Sequence, residues 1–351
     1  TGTGTIILHG IISNDALVFD SVDDLTTQSF TYNSQPGQNI TVRLNIDGQG
    51  VLGAGYSGTG SLAISNDVDA LSTIGYIGYA SGSTGTATVD GTGSTWTNSS
   101  SLYAGYSGAG TLAITGGGKV TSSSGYIGYN SSSKGTATVD GDGSTWTNSS
   151  SLYAGYSGTG TLAITAGGKV NNTTGYIGDQ SGSTGTVTVD GTGSTWTNTN
   201  QLYVGRSGSG TLNIMGGGKV TSGHSSYGYH SYIGNASGSA GVVTVDGVDS
   251  TWTNNANLYV GSSGSGTLNI TNGGLVSVKG TLTIDSNGDG DSFINMATGG
   301  MLALFGNAGD SLTSFLALVN GTDAIRYWDD SISAWANIMG ATHGDDYTLA
   351  Y

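Results

Sequence analysis

Four aspartates stand in the same three-residue phrase, V-D-G: Asp90, Asp140, Asp190 and Asp246. If the chain stacks coil upon coil, they recur on every second coil, about 9–10 Å apart by strand spacing. That is close to the roughly 6.5–9.5 Å between the two carboxyls of an inverting glycosidase. Yet any two-coil repeat produces this spacing. A catalytic acid and base also need unlike surroundings, whereas identical repeats supply identical ones. The plain reading is a row of solvated turn aspartates. A second acidic group, Asp285, Asn287, Asp289 and Asp291, places oxygen ligands on alternate residues, with Gly288 and Gly290 allowing the bend. That pattern suits Ca²⁺, although the glutamate an EF-hand requires is replaced by Met296. No cofactor is otherwise required. The four histidines, His9, His224, His230 and His343, are scattered, with His224 and His230 sharing one insertion.

Tyrosine is the other residue that recurs in step. Tyr76, Tyr103, Tyr126, Tyr153, Tyr176, Tyr203, Tyr232 and Tyr259 share one repeat position. Tyr56, Tyr79, Tyr106, Tyr129 and Tyr156 share another, until Asp179 and Arg206 interrupt it. Facing outward, such a stripe could stack on sugar rings, with Tyr103, Tyr126, Tyr153, Tyr176 and Tyr203 as the binding positions. The simpler expectation is that the rings stack on one another. Lys119, Lys169 and Lys219 fall on alternate coils and read as surface charges that keep strand edges from pairing wrongly.

What must position these residues is a repeat. GTATVDGDGSTWTN (Gly135–Asn148) returns as GTATVDGTGSTWTN at Gly85–Asn98, GTVTVDGTGSTWTN at Gly185–Asn198 and GVVTVDGVDSTWTN at Gly241–Asn254. Trp96, Trp146 and Trp196 are 50 residues apart, and Trp252 follows after 56 because six residues are inserted near His224–Ser231. Each 50-residue unit divides into two coils, LYAGYSGAGTLAITGGGKVTSSSG and YIGYNSSSKGTATVDGDGSTWTNSSS. They align Gly105 with Gly128, Thr111 with Thr136, Ile114 with Val139 and Val120 with Trp146, so the underlying period is about 25 residues. Each coil reads as three short strands between Gly/Ser turns, its middle strand alternating Leu112 and Ile114 inward with Thr111, Ala113 and Thr115 outward. No window carries an amphipathic helical stripe. The expected fold is all-β: a parallel β-helix (β-solenoid) of about nine coils from Leu52 to Gly280, rising one strand spacing of about 4.8 Å per coil. Large and small inward residues alternate (Ala104 with Ile127, Leu112 with Ala137, Val120 with Trp146), as a narrow core requires.

Three segments follow from this: residues 1–50 as an N-terminal cap or assembly segment, 51–280 as the repeat array, and 281–351 as a C-terminal cap. In the last, Ser311–Val319 and Asp323–Ile338 are expected to contain helical turns. Pro36–Gly37 reads as a turn. The start at Thr1 without Met fits removal of a signal segment, and the end DDYTLAY falls in the middle of a strand-like phrase, as processing would leave it.

Composition narrows the function. The 351 residues include 65 Gly, one Pro and no Cys, with only 9% charged residues and a net charge of −15. Eight basic residues against 23 acidic ones disfavour nucleic acid and anionic membranes as partners. No apolar run reaches the roughly 20 residues that span a bilayer.

The phrases GYIGYNSSSKGTATVDG, GSTWTN, LYAGYSGTGTLAIT and GGGKV resemble the PEP-CTERM and type V secretion (autotransporter)-associated repeats of large exported bacterial surface proteins. TLTIDSNGDGDSFINMATGGMLALFG and IRYWDDSISAWANI resemble the segment that follows such repeats, so the likeness spans about Leu52–Tyr351. It implies a right-handed β-helix, secreted or held at the bacterial cell surface, with no enzymatic activity. The expected role is non-enzymatic and structural: a subunit of a fibre, filament or matrix that associates end to end with copies of itself. A carbohydrate-binding adhesin working through the Tyr stripe on extracellular polysaccharide is the alternative. A polysaccharide-active enzyme is a third, and it lacks the clustered unlike acids and bases it would need.

Overall fold

A computed structural model describes residues 2–19, 27–35, 38–45, 47–305, 317 and 323–342. Three long sheets run the length of the molecule, and consecutive strands of the chain visit them in turn. The first sheet has 11 strands, from Ile11–Ser13 to Leu282–Ile284. The second has 13, beginning at Ala16–Phe19, and the third has 10, from Asp69–Ser72 to Met301–Leu304. Pairing between successive turns of the chain is parallel and in register: Tyr126 with Tyr153, Ala137 with Leu162, Trp146 with Val170. This is a β-solenoid. A representative coil consists of Gly125–Ile127, Lys134–Asp140 and Thr145–Asn148. The coils expected from Leu52 onward are all present, and a tenth continues past Gly280 through Leu282–Ile284, Phe293–Met296 and Met301–Leu304.

Two glycines per coil make the corner between the first and second sheets. Gly128 adopts φ +75°, a left-handed conformation costly for other residues. Gly135 needs no unusual φ, but its Cα faces the carbonyl oxygen of Ala104 so closely that no side chain fits.

The reason for the 50-residue double repeat lies inside the coil. The Trp146 indole is fully buried and reaches across the core to Gly125, where an added Cβ would lie 2.6 Å from its Cζ2. Trp96 meets Gly75 and Trp196 meets Gly175 in the same way. In the alternate coils Leu102, Leu152 and Leu202 take the glycine position, while Val120, Val170 and Val220 take the tryptophan position. Trp with Gly, then Leu with Val, holds the core volume of successive coils nearly constant, which close packing demands.

The indole nitrogens are satisfied one coil away. Trp96 donates to Ser72 Oγ, Trp252 to Ser222 Oγ and Trp196 to Asn172 Oδ1. Buried Asn98 and Asn148 accept in turn from Ser72 and Ser122. A buried polar line therefore runs beside the apolar core, tying each Trp coil to the one before it.

Both ends of the stack carry other structure. At the first end, Gly2–Leu8 pairs with Gln38–Asn45, which in turn pairs antiparallel with Thr27–Gln35. Leu44 of this sheet joins the main core with Leu17 and Phe19. At the other end Ile325–Asp329 adds to the second sheet, and Ala334–Asn337 pairs back antiparallel. This corrects the expectation of helical turns in Asp323–Ile338. The segment is a hairpin followed by a short 3-10 turn, Ile338–Gly340. Its alternation of Ile325 inward with Arg326 and Trp328 has the period of a strand, and the Asp329 carboxylate accepts Ser331 N–H in the connecting turn. Pro36–Gly37, nearly all of Ser311–Val319, and Asp345–Tyr351 lie outside the described residues. Among the described residues no helix is long and apolar enough to cross a membrane.

Candidate functional surface: a ribbon of stacked tyrosines

From Tyr76 onward the first sheet repeats the phrase Tyr–(Ala, Ile or Val)–Gly, and after Tyr76, Tyr103, Tyr126 and Tyr153 a second Tyr follows the glycine. In the coil of Gly125–Ile127, Ile127 points inward, so Tyr126 points out. The left-handed turn at Gly128 then sets Tyr129 beside it at the corner. Repeating the strand repeats both rings.

The first column, Tyr76 to Tyr259, is continuous, with ring centroids 4.6 Å apart at Tyr153–Tyr176 and 5.2 Å at Tyr76–Tyr103, and planes within 10° of parallel. The second column, Tyr56, Tyr79, Tyr106, Tyr129 and Tyr156, stacks at 5.0–5.3 Å. The columns meet edge to face, as at Tyr126–Tyr129, 5.1 Å and 86°. Both geometries are favourable for aromatic quadrupoles. The five positions expected to bind sugars, Tyr103, Tyr126, Tyr153, Tyr176 and Tyr203, all lie in the first column. Their faces are covered by the rings above and below, so no flat aromatic face is left for a sugar to stack on.

The second column ends in an ion pair that sequence reasoning registered only as an interruption. Asp179 occupies the tyrosine position, 1% exposed, and Arg206 fills it on the next coil. Arg206 Nη1 donates to Asp179 Oδ1 at 2.9 Å, and its guanidinium lies 5.4 Å from the Tyr176 ring and 5.8 Å from that of Tyr203. The column thus continues as a carboxylate and a cation against the same aromatic wall. The signal was available: opposite charges at one repeat position on adjacent coils must face each other.

Burial raises the phenol pKa within the first column, reinforced by neighbouring phenols: Tyr153 is pushed up to about 12, and Tyr126 is raised as well. Tyr103, Tyr176, Tyr203 and Tyr232 shift the same way, each chiefly through burial. A raised phenol pKa means the folded chain holds the neutral form more tightly than the unfolded chain does. The resulting stability is complete below the unfolded value near 10 and is lost as pH climbs through the folded values. The urea midpoint is therefore expected to hold up to about pH 10 and to fall steeply between about 10 and 12. The first-column phenols from Tyr76 to Tyr232 should gain tyrosinate absorbance only as the fold is lost. Ionisation of those first-column phenols near pH 10 with the fold intact would contradict this.

The aspartate row does not form carboxylate pairs. Asp90 accepts from Thr115 Oγ1 of the next coil, Asp140 from Thr165 and Asp246 from Thr271, each at 2.6 Å. A threonine coil thus separates one aspartate from the next, and Asp190 has Met215 at the paired position instead.

Of the acidic loop, the structure brings together Asp285, Asp289 and Asp291, with one oxygen from each within 4.8 Å of the others. Asn287 turns its amide nitrogen to Asp289 and so offers its donor rather than its oxygen. Asp285 Oδ2 accepts the Gly290 N–H. Burial and then the charges of its neighbours raise the Asp291 carboxyl, set against its bond from Ser292. These three carboxylates are the described residues that could hold a hard cation such as Ca²⁺.

His224 and His230 flank the inserted hairpin, in which Tyr229 carbonyl accepts His224 N–H, and they lie against different rings, Tyr227 and Tyr259. His9 contacts Asp47, and His343 lies outside the described residues.

No family model and no curated protein matches the chain. Among solved structures it is similar to a TibC-catalysed hyper-glycosylated TibA55-350 fragment, at 15% identity over 88% of this chain and 98% of that one. With a TM-score of 0.37, that likeness carries no argument about this chain.

Proposed function

We propose that this chain is a non-enzymatic structural rod of an exported bacterial surface, a stalk, fibre or matrix subunit that joins copies of itself end to end. The observation that supports it is the unbroken register of three parallel sheets over ten coils. Such a body resists bending because each coil's backbone hydrogen bonds, core layer and tyrosines all bridge to the next coil along one axis. The resemblance of its repeat phrases to autotransporter-associated repeats agrees with this role, as does its acidic, lysine-poor composition. The aspartate row offers no acid–base pair to favour an enzyme.

End-to-end joining is a heterologous contact, which builds open filaments rather than closed rings. The terminal segments would supply the joint, since the flanks of the rod repeat and its ends do not. Negative-stain images of the purified chain are expected to show rods joined at their tips, increasingly so with concentration. Removing Thr1–Asp24 is expected to leave single rods. Single rods from the intact chain at every concentration would overturn the assembly reading.

A further inference from the structure

The tyrosine ribbon has a chemical consequence that rigidity does not require. Thirteen phenols form one contact network, eight in the first column and five in the second. Stacked planes stay within 10° of parallel. Equivalent ring edges on adjacent coils therefore lie side by side at one strand spacing. Burial of the rings is partial. Tyr56, at the start of the second column, is 50% exposed.

We propose that the ribbon is a site of oxidative modification, in which a one-electron oxidant joins tyrosines of adjacent coils as dityrosine. Each of two phenols gives up one electron to the oxidant and its hydroxyl proton to water, leaving two phenoxyl radicals. Their unpaired electrons pair in a new carbon–carbon bond between the ring positions ortho to oxygen. The two hydrogens on those carbons then pass as protons to the oxygens, restoring both aromatic rings. Two electrons and two protons leave in total. A ferryl haem of the peroxidase class, renewed by hydrogen peroxide that becomes water, accepts them. So does a photogenerated ruthenium(III) complex, renewed by persulfate that becomes sulfate.

Three features favour coupling here over coupling between chains. The partner ring is already in contact, so the second-order encounter of two radicals becomes intramolecular. The network lets a radical formed at an exposed ring such as Tyr56 pass inward by exchange between touching phenols. The backbone ladder also holds the two Cα atoms at strand spacing, which leaves only side-chain rotation to bring the ortho carbons together. Each bond formed would be a covalent rung along the axis, closing a loop of about one coil and raising resistance to unfolding in the manner of a short cross-link.

The test uses the whole chain at low concentration, photo-oxidised with tris(bipyridine)ruthenium(II) and persulfate, once in buffer and once in urea. Dityrosine is read by its fluorescence, and the joined residues by proteolysis and mass spectrometry. The expected products join residues one coil apart within a single chain, such as Tyr126 with Tyr153, at a yield at least about tenfold above that in urea. The triple variant Tyr126→Phe, Tyr156→Phe, Tyr176→Phe keeps the rings but leaves Tyr153 with no phenol in contact, so links to Tyr153 should vanish while those at Tyr76–Tyr103 persist. Equal yield in urea would overturn the proposal, as would links scattered without regard to register, or links mainly between chains. The result is independent of whether the rods join into fibres, because it is read within one chain.

Discussion

Gly135→Ala is expected to cut the rod in two. The added methyl would sit 2.2 Å from the carbonyl oxygen of Ala104 and 2.3 Å from the amide nitrogen of Gly128. Both are backbone atoms, and they are bonded to each other across the coil interface at 2.9 Å. No rotamer change relieves that clash, so the coils must separate at this corner. Overpacking a core ordinarily costs about 1–3 kcal/mol, and a clash against a ladder hydrogen bond belongs above that range. In a linear array each unit is held only by its neighbours, so a weakened interface uncouples the two halves. Urea unfolding followed by circular dichroism should change from one transition to two. Gly182→Ala is the control. Its φ of +80° is strained for alanine, but nothing lies within 4 Å of the new Cβ, so the cost should be about 1–2 kcal/mol with one transition retained. If both substitutions cost the same, close approach between coils is not what glycine provides at residue 135.

The second large effect is expected at Trp146. Its indole is fully buried, fills the gap above Gly125 and donates to Ser122 Oγ. Trp146→Ala should cost about 3–5 kcal/mol, from lost burial plus the cavity that the rigid coils around it cannot close. The pairing of core volumes makes a sharper prediction. Converting the coil to the other type, by Trp146→Val together with Gly125→Leu, should recover more than half of what Trp146→Val alone loses. Adjacent Leu-type coils do occur in this stack: Leu258 is followed directly by Leu282, and Val276 by Leu302. A double variant no more stable than the single one would show that the two positions do not share one space.

Much of the fold was legible because the signal was repeated many times. A single strand such as Thr111–Thr115 is ambiguous, but the same alternation returning every 25 residues leaves few ways to bury it. Aligning Thr111 with Thr136 and Val120 with Trp146 therefore placed those residues above one another, as the register confirms. Reading failed where repetition stopped. Asp323–Ile338 occurs once, and its hairpin, set by the edge of the second sheet that Ile325 extends, was not apparent from its composition. Within the array, the tyrosine columns were correctly placed, but whether their ring faces were free was not visible. Whether rings one strand spacing apart turn their faces to each other or outward depends on their orientation about the side-chain bonds, and these stack face to face.

The sequence by itself determined what lies above what. Its period fixes the contacts along the axis, because parallel in-register pairing sets residue against equivalent residue, coil after coil. Only the tertiary structure decided what lies across from what: Trp146 against Gly125, and the Tyr126 ring edge to face with Tyr129 of its own coil. Those distances depend on where the left-handed corners turn the chain and how far each side chain reaches over the core. No spacing along a sequence encodes either quantity.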